Sequence, residues 1–133
     1  MKNNFLLALP LSALALACAQ EGLECQTVKM GVCQGNPDSP MDININVASG
    51  LTVAPPNICA RAGKVIDIMV TPSTSSETVE TVPKDPAHPW LAASSTDPDG
   101  FKIRVPSDQP IGKYDYGIVT GSGHCLDPRF TVK

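Results

Sequence analysis

Short runs in which apolar and polar residues alternate, each bounded by proline, glycine or aspartate, constrain the fold of this chain most strongly. Five of these runs occur, over residues 41–47, 65–70, 101–105, 114–118 and 130–132. A period of two is typical of strands that bury one face. Helical periodicity is weak, and at most a single helical turn is expected, within residues 84–95. Many short strands separated by turn signals predict an all-β fold, an antiparallel sandwich or barrel.

The size and charge of the chain limit its partners. Its 133 residues fit one domain, and its formal net charge is −3. Charged residues make up 17% of the sequence, and they form no basic stripe. A mildly acidic chain of this kind is unsuited to binding nucleic acid or an anionic membrane through its charge. We therefore expect neither of these partners.

The N-terminal segment is typical of an export signal. Lys2 precedes an apolar run over residues 5–18, which is shorter than the roughly 20 residues of a membrane-spanning helix. Small residues form a cleavage motif before Gln20, so residues 1–19 are predicted to be a signal peptide. The alternative is a lipoprotein signal in which Cys18 becomes the lipid-anchored first residue. Both alternatives predict an exported protein, periplasmic or extracellular, without a membrane span.

Four cysteines follow this segment: Cys25, Cys33, Cys59 and Cys125. An even number in an exported chain predicts two disulfide bonds, and four cysteines allow three connectivities. The short segment between Cys25 and Cys33 can fold back on itself, which favours that pair and leaves Cys59 with Cys125. Zinc ligation is disfavoured because the sequence lacks paired C-x-x-C spacing.

Sequence motifs for catalysis are missing. The chain contains no G-x-S-x-G nucleophile elbow, no phosphate-binding glycine loop and only two histidines. The acidic residues Asp97 and Asp99 belong to a D-P-D-G sequence, which is typical of a turn rather than of a site. We therefore expect a protein that is not an enzyme. We also expect it to be a monomer.

Two segments of the chain resemble cupredoxins. APPNICARAGKVIDIMVTP is similar to the second strand of that family, in which a proline-asparagine turn leads into an apolar strand. The ending IGKYDYGIVTGSGHCLDPRFTVK is similar to the cupredoxin C-terminus, where a G-x-Y-x-[YF] strand precedes a metal-ligand loop. The resemblance is strongest over residues 53–72 and 101–132. It implies a Greek-key sandwich over residues 41–133. With the two disulfides predicted from the cysteines, the sandwich is expected to be disulfide-stapled, and residues 20–40 precede it as a disulfide-bearing lead-in.

The copper ligands of the family are not retained. In plastocyanin-like members the C-terminal loop supplies Cys, His and Met ligands, and these positions fall on Ile118, Gly121 and Cys125. The remaining family ligand, a histidine after the strand ending near Val70, has no counterpart in PSTSSET. A blue-copper site needs a thiolate and two imidazoles, so the resemblance implies a scaffold without copper. The family's final strand runs beside the second, which would bring Cys59 close to Cys125.

Two functional hypotheses follow. The first is a metal-free binding or structural module of the cell envelope, without a cofactor, whose partner is a protein or a small ligand. The second is a copper-binding or electron-transfer protein with a non-standard site, in which His88, His124 and Cys125 supply two imidazoles and a thiolate. Against the second, His124 and Cys125 are adjacent, so their side chains point opposite ways in an extended segment.

Overall fold

A computed structural model describes residues 25–48 and 50–133, and their fold is nearly all β, as predicted. The predicted signal peptide and Cys18 lie outside the described residues. One turn of 3-10 helix, Pro89–Leu91, lies among the strands. The strands are β1 (Gln26–Thr27), β2 (Asp42–Asn46), β3 (Thr52–Ala54), β4 (Asn57–Ala60), β5 (Val65–Thr71), β6 (Val79–Pro83), β7 (Ala93–Ser94), β8 (Lys102–Arg104), β9 (Gly112–Thr120), β10 (Cys125–Asp127) and β11 (Arg129–Val132).

The strands form two sheets. The larger sheet has seven strands. Five follow the path β1-β10-β9-β11-β4, and the other two, β6 and β7, extend the sheet from the opposite edge of β9. The smaller sheet has the order β3-β2-β5-β8. The prediction of antiparallel sheets is corrected, because β2 pairs parallel with β5, and β4 with β11. The β2–β5 pair is parallel because the chain leaves the smaller sheet after β3, adds β4 to the larger one and returns beside β2.

The longest strand, β9, organises the larger sheet. Strands β10 and β11 pair antiparallel with β9 in one continuous register, interrupted at Pro128. The outer edge of this β10–β11 segment is covered by β1 in its first half and by β4 in its second half. The N-terminal strand and β4 therefore lie one after the other along the same segment.

Residues from both sheets form one buried core. In β2, Ile43 and Ile45 are buried while their polar neighbours keep exposed surface, as a period of two requires. In the larger sheet Tyr116 and Phe130 are fully buried and pack edge to face, with 5.2 Å between ring centroids. Burial raises the pKa of the Tyr116 hydroxyl. Trp90 is partly buried and packs edge to face against Tyr114 and Phe130, with ring centroids 5.5 and 5.9 Å apart.

The alternating runs are confirmed as strands β2, β5, β8, β9 and β11, and the helical turn lies inside its predicted window. The pattern missed β4 because its residues are all buried, and a strand buried on both faces shows no alternation. It also missed β1, β3, β6, β7 and β10, which lie outside the five alternating runs; all of these except β6 have only two or three residues.

The described part of the predicted lead-in, residues 25–40, joins the larger sheet at two places. Strand β1 pairs with β10, and Gln34 forms a bridge with Ile58 of β4. At this bridge Gln34 N–H donates to the Asn57 carbonyl at 2.8 Å, and Cys59 N–H donates to the Gln34 carbonyl at 2.9 Å. The lead-in therefore covers the outer edge of β4 as well as that of β10.

Candidate functional site

Two disulfide bonds join the lead-in to the larger sheet, Cys25–Cys125 and Cys33–Cys59. The prediction of two bonds among these four cysteines is confirmed. The preferred pairing, Cys25 with Cys33 and Cys59 with Cys125, is wrong. Each bond instead links the lead-in to a different strand of the sheet, over sequence separations of 100 and 26 residues.

The register of the larger sheet explains why Cys59 does not pair with Cys125. Cys59 lies opposite Thr131 of β11, so strand β4 does run beside the final strand. Cys125 lies at the start of β10, and the spacing of about 3.3 Å per residue puts it about 20 Å before Thr131 on the same extended segment. A disulfide needs Cα atoms within about 7 Å of each other. Cys125 instead lies beside the N-terminal strand, where Cys25 is available.

Asn57 holds the lead-in next to the Cys33–Cys59 bond. Its side chain is buried, and its Nδ2 donates to the Gly31 carbonyl at 3.1 Å. Its Oδ1 accepts a hydrogen bond from Thr131 Oγ1 at 2.7 Å. Through these two hydrogen bonds the Asn57 side chain connects the lead-in, β4 and β11.

An ion pair lies beside the Cys25–Cys125 bond. Lys84 Nζ is 2.6 Å from Asp127 Oδ1 and 3.7 Å from Cys25 Sγ. One ligating atom each from Cys25, Cys125 and Asp127 lies within 4.8 Å of the other two. Both sulfurs are bonded to each other and the carboxylate is paired with an ammonium group. In this oxidised state the cluster therefore offers no thiolate to a metal.

The structure places His88 and His124 at opposite ends of β9. The His88 ring packs edge-on against Tyr114, with 4.9 Å between ring centroids. His124 lies in the turn after β9, where its N–H donates to Thr120 Oγ1 at 3.1 Å. Tyr114 and Thr120 are separated by about 20 Å of extended strand, at about 3.3 Å per residue.

The residues of the alternative copper site therefore do not come together. His88 and His124 belong to different ends of the sheet, and the sulfur of Cys125 is bonded to Cys25. Of the positions that the resemblance assigns to copper ligands, Ile118 is buried in the core. At Gly121 the backbone N–H donates to the Thr78 carbonyl at 2.9 Å.

A groove of about 390 Å³ opens between the end of β5, residues 72–78 and residues 95–101. Strand β8 pairs with β5 only as far as Asp67, so the groove lies beside the part of β5 that β8 leaves uncovered. Apolar residues and six hydroxyl side chains line it: Ile68, Val70, Pro72 and Phe101, with Ser73, Ser75, Ser76, Thr78, Ser95 and Thr96.

Backbone hydrogen bonds fix two of these hydroxyls. Ser75 Oγ accepts from the Glu77 N–H at 3.1 Å, and Ser95 Oγ accepts from the Val79 N–H at 2.9 Å. Ser95 N–H also donates back to the Val79 carbonyl at 2.8 Å, which joins the two sides of the groove. Since a serine hydroxyl both donates and accepts, each of these serines keeps an O–H that can donate to a ligand.

Glu77 is the one charged residue among the described residues that line the groove. Its Oε1 accepts a hydrogen bond from the Ser122 N–H at 2.7 Å. This bond stabilises the carboxylate form and lowers the pKa of Glu77 below its ordinary value. The groove therefore has a negative charge and no lining cation in the described part of the chain.

The sequence does not predict the groove. A signal was present in two hydroxyl-rich segments, STSSET and SST, which lie before β6 and around β7. Sequence alone gives no reason to bring them together, because their proximity depends on the pairing of β6 with β7.

Comparisons with known protein-family models and with curated proteins gave no match to this chain. Two disulfides are typical of proteins from oxidising compartments. Within residues 25–48 and 50–133, no helix has the length and apolar character needed to cross a membrane.

Proposed function

We propose that this chain is an exported, disulfide-stapled β-sandwich of the cupredoxin-like type that acts as a metal-free, non-catalytic binding module of the cell envelope. The observation that carries the proposal is the Cys25–Cys125 bond, because it removes the thiolate that copper chemistry would need. The separation of His88 from His124 supports the same conclusion. The groove beside β5 supports a binding role.

Export is tested by producing the full chain in a bacterium and fractionating the cells. The wild type is expected in the envelope with Gln20 as its first residue, as measured by intact mass. Leu14→Arg places a charge within the apolar run and is expected to leave the protein unprocessed in the cytoplasm. Asn4→Ser, before that run, is the matched control and is expected to be exported. An acylated species that begins at Cys18 would show a lipoprotein instead.

Metal binding is tested on the exported, oxidised protein with Cu(II). We expect no thiolate-to-copper absorption band and no copper retained after gel filtration. Stoichiometric copper with such a band would contradict the proposal and support the site formed by His88, His124 and Cys125. The double variant His88→Ala with His124→Ala would then identify the ligands, since it keeps all four cysteines.

A further inference from the structure

We propose that the groove between residues 72–78 and 95–101 binds a saccharide, a neutral ligand with an apolar face and a rim of hydroxyl groups. This inference builds on the proposed function as a binding module and names the class of its ligand. It rests on three properties of the groove: its apolar floor, its oriented hydroxyl groups and its charge.

The floor of the groove offers apolar surface from the exposed Pro72 and the partly buried Val70 and Phe101, while Ile68 belongs to the buried core. Ile68 and Val70 come from alternate positions of β5, so their side chains lie on the same face of the sheet. Phe101 lies next to them, and its carbonyl accepts a hydrogen bond from the Ile68 N–H at 2.8 Å. An aromatic ring beside aliphatic side chains suits the C–H face of a sugar ring, which gains by leaving water.

The rim of the groove offers hydrogen-bond donors in fixed positions. Ser75 and Ser95 already accept backbone N–H bonds, so their remaining O–H groups can donate to a sugar oxygen. Residues 72–78 are held in place by bonds from Ser75 N–H to the Pro72 carbonyl, at 3.0 Å, and from Gly121 N–H to the Thr78 carbonyl, at 2.9 Å. A rim that is ordered before binding loses little conformational entropy when a ligand enters.

Charge and size narrow the choice of ligand. Glu77 is the one charged residue among the described residues that line the groove, so a phosphate or an acidic peptide would meet repulsion and no cation. A carboxylate and neutral hydroxyls can instead exchange hydrogen bonds with sugar hydroxyls. The volume of about 390 Å³ falls in the range of ligand pockets, about 300–1,000 Å³, and suits a short oligosaccharide.

The test is an NMR titration of the oxidised, ¹⁵N-labelled protein with triacetylchitotriose (the trimer of N-acetylglucosamine), maltotriose and cellotriose, three neutral trisaccharides. At least one is expected to cause saturable amide shifts at residues 68–78 and 95–101, with a Kd at or below about 1 mM. The double variant Ser75→Ala with Ser76→Ala is expected to weaken binding about tenfold, since the oriented Ser75 hydroxyl and a second lining hydroxyl are lost. Ser107→Ala, in an exposed turn outside the groove, is the matched control and is expected to bind as the wild type does.

Three results would overturn the proposal: no saturable shift with any of the trisaccharides, shifts that spread outside the groove, or unchanged binding by the double variant. Saturable binding of the basic tripeptide Lys-Gly-Lys at the groove, without saccharide binding, would also overturn it and identify a cationic ligand. These results leave the export and copper measurements unaffected. A failure of the saccharide proposal is therefore distinguishable from a failure of the proposed function.

Discussion

The two edges of the larger sheet are stabilised in different ways. At one edge the lead-in is bonded covalently, through Cys25–Cys125 to β10 and through Cys33–Cys59 to β4. At the other edge β6 and β7 border the groove, and the neighbouring loops are held by backbone and serine hydrogen bonds. We call these regions the stapled edge and the groove edge.

The difference follows from how much surface β1 and β6 bury at their respective edges. Both residues of β1 are exposed, so this strand gains little from the hydrophobic effect and depends on its disulfide. Strand β6 buries Val79 and Thr81 and pairs with β9 over five positions, so the groove edge is held without a covalent bond. We therefore expect large effects from substitutions at the stapled edge and small effects at the groove edge.

The largest loss of stability is expected from Cys33→Ala with Cys59→Ala. The bond closes a loop over a separation of 26 residues, and the loop-entropy relation assigns it about 3.5 kcal/mol. Most of this value should be observed, because Asn57 and the Gln34 bridge still hold the lead-in in the native state. Urea unfolding of the wild type and the variant measures the difference in their free energies of unfolding. A loss below about 1 kcal/mol would contradict the assigned role of this bond.

A smaller loss, about 2.5 kcal/mol, is expected from Cys25→Ala with Cys125→Ala. The separation of 100 residues would give about 4.7 kcal/mol on loop entropy alone. The observed value should be lower because β1 is exposed and would regain freedom in the native state as well. Hydrogen exchange should show faster exchange confined to residues 25–30. A loss of stability greater than that of the Cys33–Cys59 variant would contradict the expected ranking of the two disulfides.

Asn57→Ala is expected to cost about 2 kcal/mol, because it removes the two hydrogen bonds that this buried side chain makes, one to the Gly31 carbonyl and one from the Thr131 hydroxyl. Thr131→Val keeps the shape and removes only one of the two bonds, so it should cost less. Urea unfolding of both variants measures which of them loses more stability. Equal stability of Asn57→Ala and the wild type would show that the disulfide alone holds this part of the lead-in.

Glu77→Gln tests the groove edge through pH. The pKa of Glu77 is lowered by the Ser122 N–H bond, so its contribution to stability is present above the unfolded-state pKa and is lost as pH falls through the folded-state pKa. The wild type should be slightly more stable than the variant at pH 7, and the two should converge at acid pH below the ordinary carboxyl range. A stability difference between the two proteins that persists at acid pH would show that the Glu77 carboxylate is not its source.

Ser76→Ala is expected to have the smallest effect on stability, within about 0.5 kcal/mol, because this exposed serine lies outside the core. Thermal unfolding is the measurement. A loss above about 1 kcal/mol would show that the groove edge depends on this hydroxyl for folding.

The sequence predicted the half-buried strands because an alternating pattern such as that of residues 41–47 depends on local geometry alone. It did not predict the disulfide pairing, since the partner of Cys125 depends on which strand covers β10. The resemblance predicts Cys59 close to Cys125 because the family's final strand runs beside the second, and β11 does lie beside β4. The error was one of register, since Cys125 precedes β11 by about 13 Å, or four residues at about 3.3 Å each.

The groove was beyond prediction for a related reason. Its hydroxyl groups come from two segments, and a ligand site needs both to converge on the uncovered part of β5. The polar character of residues 73–76 was visible in the sequence, but polar residues are typical of any exposed loop.

Tryptic mapping of the exported protein without reduction tests the disulfide pairing at the stapled edge most directly. Trypsin should separate Cys25 from Cys33 by cleaving after Lys29, while Cys33 and Cys59 remain together in peptide 30–61. We expect peptide 30–61 to be free of other peptides and to carry an internal disulfide, while peptides 20–29 and 114–129 are cross-linked. Either other connectivity of the four cysteines would join all three peptides into one species. That species, or a free thiol at Cys125, would contradict the account.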